Sequence, residues 1–232
     1  MKTPPAALLF DVFGTLVDFR SSIALDARAR FGAGFDGEAF ADAWRAEYQP
    51  AMQRIRDGNR GYVPLDVLHR ENLDRILPRF GKDGLSEAER AEFNLVWHRL
   101  TAWPEVPAAL RRLRTKFRLA PLSNGNIALM VDMAQHNDFR WDAILGADIA
   151  RDYKPKPVVY EAACAAFGLP PERCMMVAAH SDDLAGAAKS GLMTAHIARP
   201  DEHGPGKGEA APSVPVDFAA RDLAHLAELL LS

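Results

Sequence analysis

The sequence predicts an α/β fold in which a parallel sheet with flanking helices is interrupted, after its first strand, by a helical insertion. Three observations support this prediction. Residues 6–10 form a short apolar run, as is typical of a buried strand. Helical periodicity then dominates residues 17–100. From Pro104 onward strand and helix patterns alternate, as they do in sheets built from right-handed crossovers.

Within the insertion, apolar residues recur at helical spacing and predict successive helices that face a core. Pro64 predicts a helix start, and Ser86 with Glu89 forms a capping-box pattern before another helix. The strongest apolar stripe comprises Phe40, Trp44, Tyr48, Met52 and Ile55.

The later alternating region predicts strands near residues 117–122, 143–146, 174–178 and 194–198. Helices are predicted near residues 106–116, 127–135, 158–167, 183–189 and 221–231. Between them, residues 200–215 are polar and rich in proline and glycine, so this segment is interpreted as a surface loop.

Composition favours one globular unit without nucleic-acid or membrane partners. The chain has 232 residues, of which 48% are hydrophobic and 25% charged, with a formal net charge of −3. It contains no dense lysine and arginine run, no signal-peptide pattern and no apolar run of membrane-spanning length. Cys164 and Cys174 are expected to be buried free thiols in a reducing compartment, so a cytoplasmic location is expected.

Asp11 directly follows the first strand, at the edge of the sheet where α/β proteins bind ligands. Gly14 and Thr15 then predict a tight turn whose backbone N–H groups can approach an anion. An aspartate in this position can be a covalent nucleophile. The alternative is an acidic turn residue without a chemical role.

Polar residues follow three more predicted strands or loops. Ser123 and Asn124 can donate hydrogen bonds to an anion, or can form a turn and helix cap. Lys154 precedes a proline, and by itself such a lysine is usually solvated. Asp183 opens a predicted helix, where it could equally be an N-terminal cap.

Together, in this order and at these intervals, Asp11, Ser123, Lys154 and Asp183 resemble the motifs of the haloacid dehalogenase (HAD) superfamily. The resemblance covers essentially the whole chain. It implies a HAD-like Rossmannoid core over residues 1–16 and 101–232, with a helical cap subdomain over residues 17–100 inserted after the first strand.

Two positions distinguish between activities of that superfamily. Its phosphatases typically carry a second acid where this chain has Phe13, and a further Mg²⁺-binding aspartate where it has Ala178. A halide leaving group needs neither a proton nor a metal. The chain most closely resembles the (S)-2-haloacid dehalogenases of type II, or L-2-haloacid dehalogenases, which carry an aromatic residue at the Phe13 position, a cap arginine, and a lysine and a tyrosine spaced as Lys154 and Tyr160 are. This resemblance implies that no metal or cofactor is needed.

This resemblance implies hydrolysis of short-chain L-2-haloalkanoic acids to 2-hydroxyalkanoic acids and halide, with inversion at C2, through an aspartyl ester on Asp11. Thr15 is expected to orient Asp11, while Lys154 keeps it ionised. Asp183 is expected to position the hydrolytic water. Tyr160 matches a family tyrosine through its spacing from Lys154.

The substrate carboxylate is expected to rest on Ser123 and on backbone N–H groups near Val12, Phe13 and Asn124. Arg45 matches a cap arginine that, with Asn124, stabilises the departing halide. An apolar pocket wall is expected from Phe13, Trp44 and Tyr48.

The chain departs from the family pattern near its last motif. Ala178 replaces a serine, and His180 stands at an asparagine-like position, where it is either a replacement donor, part of a halide cradle or a structural histidine. Asp182 replaces an aromatic residue near the halide, so it is expected either to point away or to change the halide preference. Two alternatives stay open, a HAD-type phosphatase and a non-catalytic small-acid-binding protein. A homodimer is also expected by resemblance.

Overall fold

The computed structural model describes residues 4–232 as alternating strands and helices. The strands are β1 Ala7–Phe10, β2 Val17–Asp18, β3 Thr101–Ala102, β4 Arg118–Ser123, β5 Leu145–Gly146, β6 Cys174–Ala178, β7 Met193–Ile197 and β8 Phe218–Ala220. The helices are α1 Phe19–Phe31, α2 Gly37–Ala46, α3 Tyr48–Arg56, α4 Leu65–Ile76, α5 Glu87–Asn94, α6 Val106–Leu113, α7 Ile127–Asn137, α8 Ala147–Ala150, α9 Pro157–Ala166, α10 Ser181–Lys189 and α11 Leu223–Leu231.

Six strands form one parallel sheet in the order β5-β4-β1-β6-β7-β8, which confirms the predicted fold class. Strand β1 lies in the middle, and its last residue, Phe10, is opposite Pro121 of β4 and Val177 of β6. The residues that follow these strands therefore meet at one edge of the sheet, where the order of connections reverses.

Helices α1 to α5 lie between β1 and β3 and form the insertion. The predicted capping box is present at the start of α5, where Ser86 and Glu89 exchange hydrogen bonds. The short strands β2 and β3 pair antiparallel at the two ends of the insertion, with Val17 opposite Ala102. The division into residues 17–100 and the remainder stays a prediction.

One apolar cluster runs from the sheet into the insertion without a break. It contains Phe10 and Phe13 from the sheet edge together with Trp44 and Trp97 from the insertion. A second cluster, including Tyr160 and Met176, covers the other face of the sheet. Because both faces are covered, the strands are buried along nearly their whole length, as parallel sheets require.

The segment after β7 differs most from its sequence interpretation. Residues 200–215 were expected to form a surface loop, and most of them are exposed or half-buried, but Glu202 is buried, as is Arg199 just before them. Backbone hydrogen bonds from Arg199 N to Glu209 O (2.8 Å) and from Gly208 N to Pro200 O (2.8 Å) close it into a compact segment against the sheet edge. We call residues 199–209 the closing segment. Among the described helices, none combines the length and apolarity that a membrane span requires.

Candidate active site

A cavity of about 560 Å³ opens at the carboxyl edge of the sheet, between the sheet, the insertion and the closing segment. The loops after β1, β4 and β6 contribute Asp11, Asn124 and His180 to its lining. The insertion contributes Arg45 and Tyr48. The sheet therefore supplies the reactive groups, while the insertion supplies the opposite wall.

The Asp11 carboxylate is buried and accepts hydrogen bonds on both oxygens. Lys154 Nζ donates to Oδ1 at 2.9 Å, and Thr15 Oγ1 donates to Oδ2 at 2.8 Å. His180 Nδ1 lies 3.1 Å from Oδ2. Burial opposes ionisation, but the Lys154 and His180 charges and hydrogen bonds outweigh it and hold the pKa of Asp11 well below its usual range. Asp11 is thus an ionised, oriented carboxylate that faces the cavity.

Lys154 joins two carboxylates. Its ammonium group lies 2.9 Å from Asp11 Oδ1 and 2.5 Å from Asp183 Oδ2, and the side chain is only 5% exposed. These two charges raise the pKa of Lys154 despite its burial. Its backbone N–H donates to Asn124 Oδ1 at 2.9 Å, so the loop after β4 fixes the position of this lysine.

Asp183 is held by Tyr160 as well as by Lys154. The Tyr160 hydroxyl donates to Asp183 Oδ1 at 2.6 Å, while Lys154 occupies Oδ2. Both oxygens of this buried carboxylate therefore already accept from buried donors, which suits a residue that positions Lys154.

The insertion presents a half-buried cation, Arg45, to the cavity. The Arg45 guanidinium lies over the Tyr48 ring at 4.1 Å and over the Phe19 ring at 4.9 Å. Its Nη1 atom is buried and has no hydrogen-bond partner among residues 4–232. Because Phe13 packs against Tyr48 with ring centroids 6.3 Å apart, this cation borders an apolar wall. Such a site favours an anion with little hydration.

Several predicted site residues lie behind the lining. Trp44 is fully buried within the insertion, and its indole N–H donates to His69 O at 2.9 Å, so it supports the pocket wall without contacting the cavity. Ser123 Oγ is also buried and accepts from Gly125 N at 2.9 Å. The other predicted residues outside the lining are Val12, Thr15 and Tyr160. The remaining predicted residues, Asp11, Phe13, Arg45, Tyr48, Asn124, Lys154, His180 and Asp183, all line the cavity.

Asp182 lines the cavity, so the first of its two expected outcomes, that it points away, is wrong, and a changed halide preference stays a prediction. Asp182 is exposed, and its Oδ1 accepts a hydrogen bond from the Asp183 backbone N–H at 2.9 Å. It therefore lies at the opening, where water screens its charge. The structure also adds His203 and Lys207 of the closing segment to the lining, although no sequence pattern marked them.

Glu202 is the principal site residue that sequence reasoning missed. It is 2% exposed, and both of its carboxylate oxygens lie 3.0 Å from His180 Nε2. A single glutamate in a polar loop carries no periodic or motif signal. Only the hydrogen bonds that close the segment place it beside His180.

Across residues 4–232, no group of three or more acidic, histidine or cysteine side chains is arranged to hold a metal ion. Phe13 and Ala178 bring no side-chain oxygen to this edge of the sheet.

Comparison with known proteins agrees with this geometry. Residues 5–191 match the haloacid dehalogenase-like hydrolase family, and the chain belongs to that family. Within it, the chain is similar to L-2-haloacid dehalogenases, which confirms the predicted resemblance.

The relatives cover nearly the whole fold. The (S)-2-haloacid dehalogenase 4A of Burkholderia cepacia is 30% identical over 199 residues, which is 83% of each chain. A crystal structure of a defluorinating L-2-haloacid dehalogenase is 44% identical with a TM-score of 0.94, over 98% of this chain and 96% of the other. Another L-2-haloacid dehalogenase structure is also 44% identical, with a TM-score of 0.93 over 97% and 99%.

Proposed function

We propose that the protein is a hydrolase of carbon–halogen bonds that converts short-chain L-2-haloalkanoic acids and water into 2-hydroxyalkanoic acids and halide. The observation that carries this proposal is the pairing of groups across the cavity. An ionised carboxylate, Asp11, and the half-buried guanidinium of Arg45, whose Nη1 atom is buried and unpaired among residues 4–232, line the same partly apolar cavity. This arrangement suits a nucleophile at one end of a carbon–halogen bond and an anion site at the other.

In the first step, an Asp11 oxygen attacks C2 of the substrate from the side opposite the halogen. The electrons of the carbon–halogen bond leave with the halide, so C2 is inverted and an aspartyl ester remains. Negative charge moves from the carboxylate to the halogen in the transition state. The Arg45 guanidinium therefore stabilises the transition state more than it stabilises the bound substrate, which is the condition for catalysis.

The substrate carboxylate has a second set of donors. Backbone N–H groups near Val12 and Phe13 belong to the turn after β1, and the Asn124 side chain lines the cavity. Ser123, whose hydroxyl is buried, contributes by shaping the loop after β4, which carries Asn124, through its hydrogen bond with Gly125. Held there, the substrate presents C2 to Asp11.

In the second step, water adds to the Asp11 carbonyl carbon and the ester is cleaved at that carbon. The new configuration at C2 is kept, and an oxygen from water remains on Asp11. This oxygen gives the sharpest test. A single turnover in ¹⁸O-labelled water should place label on Asp11, detected by mass spectrometry of the peptide.

Steady-state assays test the rest of the proposal. The protein should release halide from L-2-chloropropionate but not from the D enantiomer, equally with and without EDTA. Asp11→Asn should abolish release, because the amide is a far weaker nucleophile. Asp138→Asn is the matched control, since this exposed aspartate lies outside the cavity. No halide from either enantiomer would refute the proposal.

Phosphatase activity needs a group that protonates an alkoxide leaving group. The position that supplies it in the related phosphatases holds Phe13, whose ring packs edge-on against Trp97 at 5.7 Å. We therefore expect no Mg²⁺-dependent turnover of an alkyl phosphate such as glycerol phosphate, whose alkoxide leaving group needs that proton. A non-catalytic acid binder would instead bind the 2-haloacid without releasing halide, which the same assays detect.

Two further expectations belong to this proposal. The protein is expected to act in the cytoplasm and to form a homodimer. The apolar stripe of the insertion, including Phe40 and Trp44, is buried within one chain. A dimer must therefore use other surfaces, and sedimentation analysis tests for it.

A further inference from the structure

A chain of three ionisable groups runs from the nucleophile into the closing segment. His180 Nδ1 lies 3.1 Å from Asp11 Oδ2, and His180 Nε2 lies 3.0 Å from both oxygens of Glu202. Glu202 is 2% exposed, whereas the His180 side chain is 22% exposed and lines the cavity. The imidazole thus has one nitrogen on a buried carboxylate and the other beside the reacting carboxyl group.

Glu202 is built into this position. The turn after β1 leaves room for it, because a Cβ atom on Gly14 would lie 2.0 Å from Glu202 Oε1. Arg199, at the start of the closing segment, donates to Thr15 O at 2.9 Å and to Glu105 Oε1 at 2.6 Å. The segment that carries Glu202 is therefore attached to the same loop that carries the nucleophile.

The other end of the closing segment is also attached beside His180. The Glu209 carboxylate accepts hydrogen bonds from the Ser181 backbone N–H at 3.0 Å and from the Ser181 hydroxyl. Glu209 and Glu202 thus offer two carboxylates on one segment, of which only Glu202 lies within hydrogen-bond distance of His180. This difference provides a matched control.

Asp183 has less freedom than His180 to turn toward a water molecule, because both of its carboxylate oxygens are held by buried donors, although each oxygen keeps a second lone pair. Its oxygens already accept from Lys154 and Tyr160, at 2.5 and 2.6 Å. A base must have a free lone pair within reach of the water. His180 Nδ1 meets this requirement once Asp11 is esterified, because Asp11 then no longer shares a proton with it.

We propose that His180 is the base that deprotonates the water in ester hydrolysis, and that Glu202 is the positioning residue that holds its ring and tautomer. This inference rests on the dehalogenase function proposed above. It assigns to Glu202 and His180 the task that the family pattern led us to expect of Asp183. The arrangement follows the logic of carboxylate–histidine pairs in other hydrolases.

The step balances as follows. The water oxygen bonds to the carbonyl carbon of esterified Asp11, and the water proton passes to His180 Nδ1. The bond between that carbon and the substrate oxygen then breaks, and the proton on Nδ1 passes to this oxygen to give the 2-hydroxy acid. Asp11 emerges as a carboxylic acid and loses its proton to solvent, ready for another turnover.

The charges around His180 support this cycle. In the free protein two carboxylates flank the ring, and their hydrogen bonds and charges raise its pKa despite burial. Esterification removes the Asp11 charge, which lowers the pKa of His180 when the base is needed. Other titratable groups whose charges couple to His180 are His196 and His203, and both are held toward the neutral form by burial.

The test measures the two steps separately in wild type, His180→Gln, Glu202→Gln and Glu209→Gln. Rapid mixing with L-2-chloropropionate gives the halide burst, and mass spectrometry of the quenched protein gives the fraction present as ester. We expect His180→Gln to slow ester hydrolysis by about 10²-fold or more, so that a full burst is followed by accumulated ester. Glu202→Gln should do the same by about 10-fold or more.

The pH profile separates a positioning role from a merely structural one. Loss of the Glu202 charge lowers the pKa of His180, so the low-pH limb of ester hydrolysis should move to lower pH in Glu202→Gln. Glu209→Gln should leave this limb in place and should not accumulate ester. Circular dichroism checks that each variant is folded.

Three results would overturn the inference while leaving the dehalogenase function intact. The first is a normal halide burst without accumulated ester in both His180→Gln and Glu202→Gln. The second is a low-pH limb of ester hydrolysis that does not move in Glu202→Gln. The third is as much accumulated ester in Glu209→Gln as in Glu202→Gln. Failure of the wild type to release halide would instead refute the proposed function itself. The two failures are therefore distinguishable.

Discussion

His69 is a buried histidine without polar partners, and it makes a quantitative prediction about stability. His69 is 1% exposed. Its ring stacks on the Trp97 ring with centroids 4.0 Å apart and on the Tyr48 ring with centroids 5.9 Å apart. Neither ring nitrogen has a hydrogen-bond partner in the described chain. Burial therefore lowers the pKa of His69 from 6.5 to about 3.

The direction of the effect follows from linkage. The folded protein holds His69 neutral, whereas the unfolded chain takes up a proton as the pH falls below about 6.5. Stability is therefore fully present above that pH and is lost as the pH falls toward 3. Between about pH 8 and about pH 5, these two pKa values give a loss of about 2 kcal/mol in the free energy of unfolding.

The assay is urea unfolding, followed by circular dichroism, of wild type and His69→Phe across this pH range. Phenylalanine keeps a flat ring between Trp97 and Tyr48 and cannot be protonated. The free energy of unfolding of the variant minus that of wild type should rise by about 2 kcal/mol from about pH 8 to about pH 5. His136→Gln, at an exposed histidine, should show no such rise. A pH-independent difference for His69→Phe would refute the reasoning.

Three further substitutions test the site. Arg45→Gln should slow the halide burst by about 10²-fold, because Lys154, the buried cation of the lining, is already bound to Asp11 and Asp183 and cannot replace the Arg45 charge on the halide, and an unchanged burst would contradict the assigned anion site. Lys154→Met should raise the pKa of Asp11 and move the low-pH limb of kcat/KM to higher pH, so a fixed limb would show that Lys154 does not ionise the nucleophile. Tyr160→Phe should lower the free energy of unfolding by about 1–3 kcal/mol, because an oxygen of buried Asp183 loses its donor, and equal urea midpoints would count against this.

The sequence was sufficient to predict which polar residues meet at the carboxyl edge of the sheet. Asp11 is separated from Lys154 and Asp183 by more than half of the chain, yet these residues meet because parallel strands end at one edge. The apolar runs locate the strands, and each strand end then locates a polar residue. Small errors in element bounds, such as the end of α6 at Leu113 in place of residue 116, do not change this.

Side-chain direction within the insertion was harder to predict. Trp44 and Arg45 lie at the end of α2 and Tyr48 at the start of α3, but only Arg45 and Tyr48 line the cavity. Helical periodicity identifies an apolar face without saying which part of it borders solvent-filled space and which part packs on other helices. Trp44 belongs to the second kind, because Phe40, Phe93 and Trp97 surround it.

Glu202 shows a different limit. Its position depends on hydrogen bonds within the closing segment and on the space that Gly14 leaves open, both of which are contacts between distant parts of the chain. Composition indicated only an irregular segment. Tertiary contacts decided that this segment lies against the site.

The pairing of β2 with β3 has a consequence for how this protein can be altered by recombination. Since Val17 lies opposite Ala102, the chain leaves the sheet region and returns to it at neighbouring points, so a foreign segment could be spliced between them without moving either end. Removing the insertion without a replacement would be destabilising, because Phe13 would lose its contact with Trp97 and the apolar cluster would be exposed to water. A viable graft must therefore bring its own apolar face, and by replacing Arg45 and Tyr48 it would exchange the substrate-facing wall while retaining the nucleophile.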